Sequence, residues 1–166
     1  VAEGLIGPGA MPYDVITITL GAAPAPAREI RFALEDPDIW RVRAQVGGET
    51  LQIMFDVTNP ASVFNRPAAR LFDRAGAIPA AGELAETPVA LGLTTMMQPV
   101  TTELTVEGLT LAPVFARTNA PLLGALEDDA IIAAGETDAP PPSLVVGRAA
   151  LERAGCASIS VDRRTR

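Results

Sequence analysis

The chain has 166 residues, 48% of them apolar, and a formal net charge of −7. That length suits one domain with a real core, or one domain plus an appendage, while the acidic balance speaks against nucleic acid and the lack of an apolar run of about 20 residues against a membrane span. There is no His, and every basic residue is Arg, so Ser-His and Cys-His nucleophiles, His-based zinc sites, phosphate-loop lysines and lysine Schiff bases are all excluded.

Period-2 alternation dominates and predicts an all-β domain with one main α-helix. In chain order the strand candidates begin with Asp14 to Leu20 and Glu29 to Leu34. The run Trp40/Val42/Ala44/Val46 alternates with Arg41/Arg43/Gln45, and Leu51/Ile53/Phe55 with Gln52/Met54/Asp56; Gly47-Gly48 between them is a hairpin signal. The helix is expected from Arg66 to Ala75, with Asn65 as N-cap, Pro67 in the first turn and Gly76 just beyond the end. Further strands are expected at Thr87 to Leu93, Gln98 to Val106 and Leu109 to Arg117, with Glu107-Gly108 as a second hairpin turn. The stretches Gly21 to Ala27 and Gly135 to Pro142 read as loops, because proline withholds a ladder donor. Glu127-Asp128-Asp129 lacks the ligand spacing of a calcium loop and reads as a solvated acidic group; no metal and no cofactor is expected. Cys156, the single cysteine, reads as a buried, inert thiol at the start of a last strand, Cys156 to Asp162.

The ending Gly4 to Met11 followed by Val15 to Leu20 parallels Leu144 to Leu151 followed by Ala157 to Val161, a weak internal repeat. It divides the chain into N-terminal strands, residues 1–38, as the tail of a preceding lobe, and a main lobe, residues 39–166. Chance recurrence of small residues around Gly in an Ala-rich chain is the competing explanation. The start at Val1, without Met or leader, is expected of a processed form or a fragment.

One segment carries more chemistry than any other. The apolar run Leu51-Gln52-Ile53-Met54-Phe55 delivers Asp56 into Val-Thr-Asn-Pro-Ala, followed by Ser62-Val63-Phe64 and the Ala-rich helix; further on, Leu144-Val145-Val146 runs into Gly147 and a short helical stretch, Arg148 to Leu151. This arrangement, from about Ile39 to Asp162, resembles a retropepsin-like or pepsin-like aspartic peptidase lobe of the bacterial aspartyl protease kind. The resemblance implies an aspartic-peptidase-like β-barrel lobe of an acid endopeptidase acting on extended peptides, with Asp56 as one of two catalytic carboxylates. Two acids held close share a proton, one serving as base on a trapped water and the other as acid on the substrate carbonyl. Each lobe supplies one Asp, so the resemblance also implies a second lobe or a second copy of the chain as partner, besides the peptide. Leu91 to Gln98 falls where such a lobe carries its flap, which makes Met96 and Met97 candidate substrate contacts; ordinary core or turn residues are the other reading. Bacterial lineages of this type are often exported, and export is the expectation here.

The family's Asp-Thr-Gly reads Asp56-Val57-Thr58. Val57 has no hydroxyl to bond across a dyad, and Thr58, the second candidate site residue, puts a β-branched side chain where the family's Gly lets a backbone N–H approach the carboxylates. The altered turn puts catalysis in question. Retained catalysis, a non-catalytic peptide-binding or assembly module on the same scaffold, and an unrelated β domain whose Asp56 merely ends a strand all remain open.

Overall fold

A computed structural model describes residues 12–20, 30–32, 40–76, 83–88, 94–101, 103–106, 108–111, 114–118 and 141–162. The described residues are mostly strand. In chain order they form β1 (Val15–Thr19), β2 (Arg41–Val46), β3 (Glu49–Asp56), β4 (Ser62–Phe64), α1 (Arg66–Arg74), β5 (Ala85–Pro88), β6 (Thr94–Thr101), β7 (Leu104–Val106), β8 (Leu109–Leu111), β9 (Val114–Thr118), β10 (Ser143–Gly147), α2 (Arg148–Arg153) and β11 (Ser158–Asp162).

The β2–β3 hairpin follows from its turn: Gly47 and Gly48 sit at φ 58° and 83°, positive values that two-residue turns matching strand twist require and that Gly adopts without a Cβ penalty. Pairing from Val46↔Glu49 to Arg41↔Met54 then puts Val42, Leu51 and Ile53 on the core side. β3 does not stop at the hairpin. Its other edge pairs in parallel with β10, from Ser143↔Gln52 to Gly147↔Asp56, and β10 in turn pairs antiparallel with β4, Val145 opposite Val63. β10, far along the chain, is thus threaded between β3 and β4. The full order of the large sheet is β2-β3-β10-β4-β9-β6-β5.

Among the described residues β2 and β5 are the free edges of this sheet, so it is open rather than the closed barrel expected. The core is shut by other means. The apolar face of α1 brings Ala68, Ala69, Leu71 and Phe72 into the same cluster as Leu51, Ile53, Phe64, Leu111, Phe115, Leu144 and Leu151. Burying Leu71 and Phe72 contributes about 1.5–3 kcal/mol each. Phe72 meets Phe64 at 5.6 Å between ring centroids, tilted by 51°. The small β7–β8 hairpin contributes Leu104, Val106, Leu109 and Leu111 to the same cluster.

α1 begins where the sequence marks it. Asn65 is the N-cap, its Oδ1 accepting from the Ala68 N–H at 2.9 Å, a cap that contributes about 1 kcal/mol. Asn65 also ties the helix to the inserted strand: its Oδ1 accepts from the Ser143 N–H at 3.1 Å, and its Nδ2 donates to the Pro141 carbonyl at 2.9 Å. The helical stretch after Gly147 is α2, and the strand beyond it is β11.

Several expectations meet a different outcome. Gln98 to Val106 is not one strand: β6 ends at Thr101 and β7 starts at Leu104, and Leu109 to Arg117 is likewise divided into β8 and β9. The chain folds back there because β7 and β8 close on each other while β6 and β9 pair within the large sheet, from Thr101↔Val114 to Met97↔Thr118. Residues 30–32 are described and are not strand; the rest of Glu29 to Leu34 lies outside the described residues, as do residues 89–93, the acidic group at 127–129, the loop Gly21 to Ala27 and the first repeat element, Gly4 to Met11.

β1 and β11 form an antiparallel ribbon with Ile18 opposite Ile159, Thr17 opposite Ser160 and Ile16 opposite Val161. Its inward side chains, Ile16 and Val161, pack with Trp40 at the head of β2, and the Thr17 and Ser160 hydroxyls share a hydrogen bond at 2.7 Å on the outside. β1 therefore packs against β11 and Trp40.

The fit of β10 makes a sharp prediction at Gly147. An added Cβ there overlaps the Ala61 carbonyl oxygen and stands 2.7 Å from that of Asn59, both backbone atoms that cannot yield cheaply. Gly147→Ala is expected to lower the urea-unfolding free energy by about 3 kcal/mol or more. Gly48→Ala, whose Cβ meets nothing within 4 Å, is expected to cost only its left-handed strain, about 1–2 kcal/mol.

Candidate functional site

The site is the end of β3 and the turn beyond it. Asp56 is the last residue of β3, directly opposite Gly147 at the end of β10. Two strand ends therefore lie side by side at Asp56, and the loop from Val57 to Ala61 arches over Gly147. That loop is fastened by the start of α2. Arg148 N–H donates to the Asn59 carbonyl at 2.8 Å and Ala149 N–H to the Pro60 carbonyl at 3.2 Å, which satisfies first-turn donors that have no partner inside the helix. The Gly147 N–H donates to the Ser62 Oγ at 3.0 Å, and Ser62 is only 3% exposed. Ala61 N–H donates to Asn59 Oδ1 at 3.2 Å, closing the loop on itself.

The Asp56 carboxylate takes its hydrogen bonds from Thr58. The Thr58 N–H donates to Oδ1 at 2.9 Å and the Thr58 hydroxyl to the same oxygen at 2.6 Å, while the Asn59 N–H donates to the Asp56 carbonyl at 3.2 Å. This is the local turn in which a short acidic side chain bonds the backbone two residues on. Both bonds go to Oδ1 and orient the carboxylate, leaving Oδ2 without a hydrogen bond from any described residue. A carboxylate so held can accept a proton from a water or polarise one; alone, it cannot form the proton-sharing pair of an acid dyad.

The geometry also accounts for the two residues after Asp56. Val57 is half-buried and packs against the main core, a place for an apolar side chain. Thr58 is exposed, and its β-branched side chain does not keep its N–H from the carboxylate; it turns the same way and adds its hydroxyl. Thr58 has no left-handed φ, so a non-glycine residue fits without strain.

Met96 and Met97 stand inside β6, opposite Glu86 and Ala85 of β5, rather than at the turn between the two strands. Met97 is 2% exposed and Met96 is 49% exposed, so of the pair only Met96 offers its side chain to a ligand. Ser62 and Asn59 hold the loop, a role that no motif in the sequence marks, and Asn65, expected only as the N-cap, also ties α1 to β10. The available signal was a polar residue on either side of Val63-Phe64, and both Ser62 and Asn65 prove to be buried.

Among the described residues no group of three His, Cys, Asp or Glu side chains is placed to hold a metal ion, and no helix is long and apolar enough to cross a membrane. No protein-family model matches the chain, and no curated protein matches it.

Cys156 lies just before β11, half-buried, and its burial raises the thiol above its usual pKa. The thiolate is the reactive form, so alkylation by iodoacetamide at pH 8 is expected to be slower than that of free cysteine and to accelerate in urea. A native-state rate matching free cysteine contradicts this placement.

Proposed function

We propose that this chain is one carboxylate-bearing half of an aspartic-peptidase-like protein that acts on extended peptides, its second carboxylate coming from a second lobe or a second copy. The observation that carries the reading is the Asp56 turn: a carboxylate at a strand end, one oxygen fixed by Thr58, set opposite Gly147 of a strand threaded between β3 and β4. A rigidly supported carboxylate with one oxygen uncommitted is what a general base requires. Without His or Lys, acid-base work in this chain falls to carboxylates.

Support for a second lobe comes from the ribbon. Thr17-Ile18-Thr19-Leu20 and Ser158-Ile159-Ser160-Val161 have the same pattern, and they pair so that Ile18 faces Ile159, with Thr17 opposite Ser160 and Thr19 opposite Ser158. Equivalent residues exchanging across a local two-fold axis is the arrangement two related halves would produce at their junction. Residues 1–38 then serve as the tail of the preceding lobe.

A second reading keeps the scaffold as a non-catalytic peptide-binding or assembly module. It is favoured by Val57, which offers no hydroxyl across a dyad, and by the Thr58 hydroxyl, which is spent on Asp56. On this reading an extended peptide pairs with a free sheet edge and keeps its affinity without the acid.

The test is digestion of a mixed peptide pool between pH 3 and 7 by the full-length protein, wild type and Asp56→Asn, alongside peptide affinity by calorimetry. Catalysis predicts cleavage by the wild type and a loss of about a hundredfold or more in Asp56→Asn. Peptide affinity equal in both proteins, with no cleavage by either, selects the binding module. Equal cleavage by both removes Asp56 from the chemistry.

A further inference from the structure

Trp40, the chain's single tryptophan, combines three unusual properties next to the candidate carboxylate. Its backbone is left-handed, φ 52°, the one positive φ outside glycine among the described residues. For a bulky aromatic this is a true outlier, and such conformations persist only where the surroundings over-determine them. Its side chain is 3% exposed, yet the indole Nε1–H is buried without a hydrogen-bond partner. Its carbonyl accepts from the N–H of Phe55, the residue that immediately precedes Asp56, at 3.3 Å.

A plain apolar plug explains neither the left-handed backbone nor the orphan N–H, because an aliphatic or phenyl side chain on an ordinary strand residue fills space without strain or an unpaired donor. The contacts say what the strain secures. The indole is clamped by Ile16 and Val161 of the ribbon, with Ile18, Ile159 and Phe55 against the same cluster. Phe55 also meets Phe32, at 5.5 Å between ring centroids. The left-handed turn at Trp40 thus lets one residue do two things at once: seat its ring under the ribbon and continue the β2–β3 pairing up to Phe55.

We propose that Trp40 is a positioning residue through which the β1–β11 ribbon sets the geometry of the Asp56 turn. Loosening the ribbon releases the indole, the strained backbone relaxes, and the Phe55 hydrogen bond beside Asp56 is lost first. This rests on the reading of Asp56 as the working carboxylate only for its functional consequence; the coupling itself is measured without substrate, so failure of cleavage and failure of coupling are separate outcomes.

The experiment is residue-resolved amide exchange on the full chain, with the Thr58 amide chemical shift as a reporter of its bond to the carboxylate. Val161→Ala, which touches neither β2 nor β3 in sequence, is expected to speed exchange at Phe55 by about tenfold more than at Ile53, inside the same ladder, and to move the Thr58 amide. Trp40 emission shifts to longer wavelength in the same variant. Trp40→Phe, which keeps a smaller ring under the ribbon and removes the orphan N–H together with part of the indole, is expected to retain more Phe55 protection than Val161→Ala and to leave the Thr58 shift closer to that of the wild type. Ile16→Val serves as the gentler ribbon variant if Val161→Ala does not fold. Equal acceleration at Phe55 and Ile53, the mark of general destabilisation, or no change at Phe55 in either ribbon variant, overturns the proposal.

Discussion

Everything at the site depends on one close approach, the passage of Gly147 beneath the carbonyls of Asn59 and Ala61. β10 can lie between β3 and β4 only if its last residue carries no side chain on that side. Once it does, its N–H reaches the buried Ser62 hydroxyl, and the N–H groups of Arg148 and Ala149 meet the carbonyls of Asn59 and Pro60. The loop after Asp56 is thereby held by a strand and a helix from the far end of the chain. A turn that would otherwise be mobile becomes part of the core's periphery.

This constraint links fold to chemistry. The Thr58 bonds that orient the Asp56 carboxylate are local and exposed, and such bonds alone contribute little in water. Their persistence rests on the loop being pinned at Asn59 and Pro60 on one side and on β3 being anchored through Phe55 on the other. Buried polar groups carry much of this load: Asn65 satisfies α1, Ser143 and Pro141 together, and Ser62 holds Gly147. Each is a buried group whose loss leaves a donor or acceptor stranded, which makes the region unforgiving of substitution.

Local signals in the sequence were sufficient for local structure. The Gly47-Gly48 turn, the Asn65 cap with Pro67 behind it and the alternation in β2 and β3 each determine neighbouring residues, and α1 ends within a residue of its expected limit. Neighbour identity across the sheet is a different matter, because a period of two says which face a residue takes and nothing of which strand lies beside it. The parallel pairing of β10 with β3 is therefore invisible in the pattern, and so is the buried role of Ser62. Trp40 looked like the first member of an alternating strand and instead takes a left-handed turn that only its tertiary surroundings enforce. At Thr58 the pattern gives no sign of what the geometry shows, the N–H and hydroxyl acting together on one oxygen of Asp56.

The most direct measurement is the set of backbone nuclear Overhauser contacts made by Val145. Insertion of β10 places Val145 opposite Met54 on one side, in parallel, and opposite Val63 on the other, antiparallel. Contacts from Val145 to both residues, with a slowly exchanging Gly147 amide, are the predicted result. Contacts to Met54 alone, or a Gly147 amide that exchanges as fast as an open loop, contradict the insertion and with it the support on which the Asp56 turn depends.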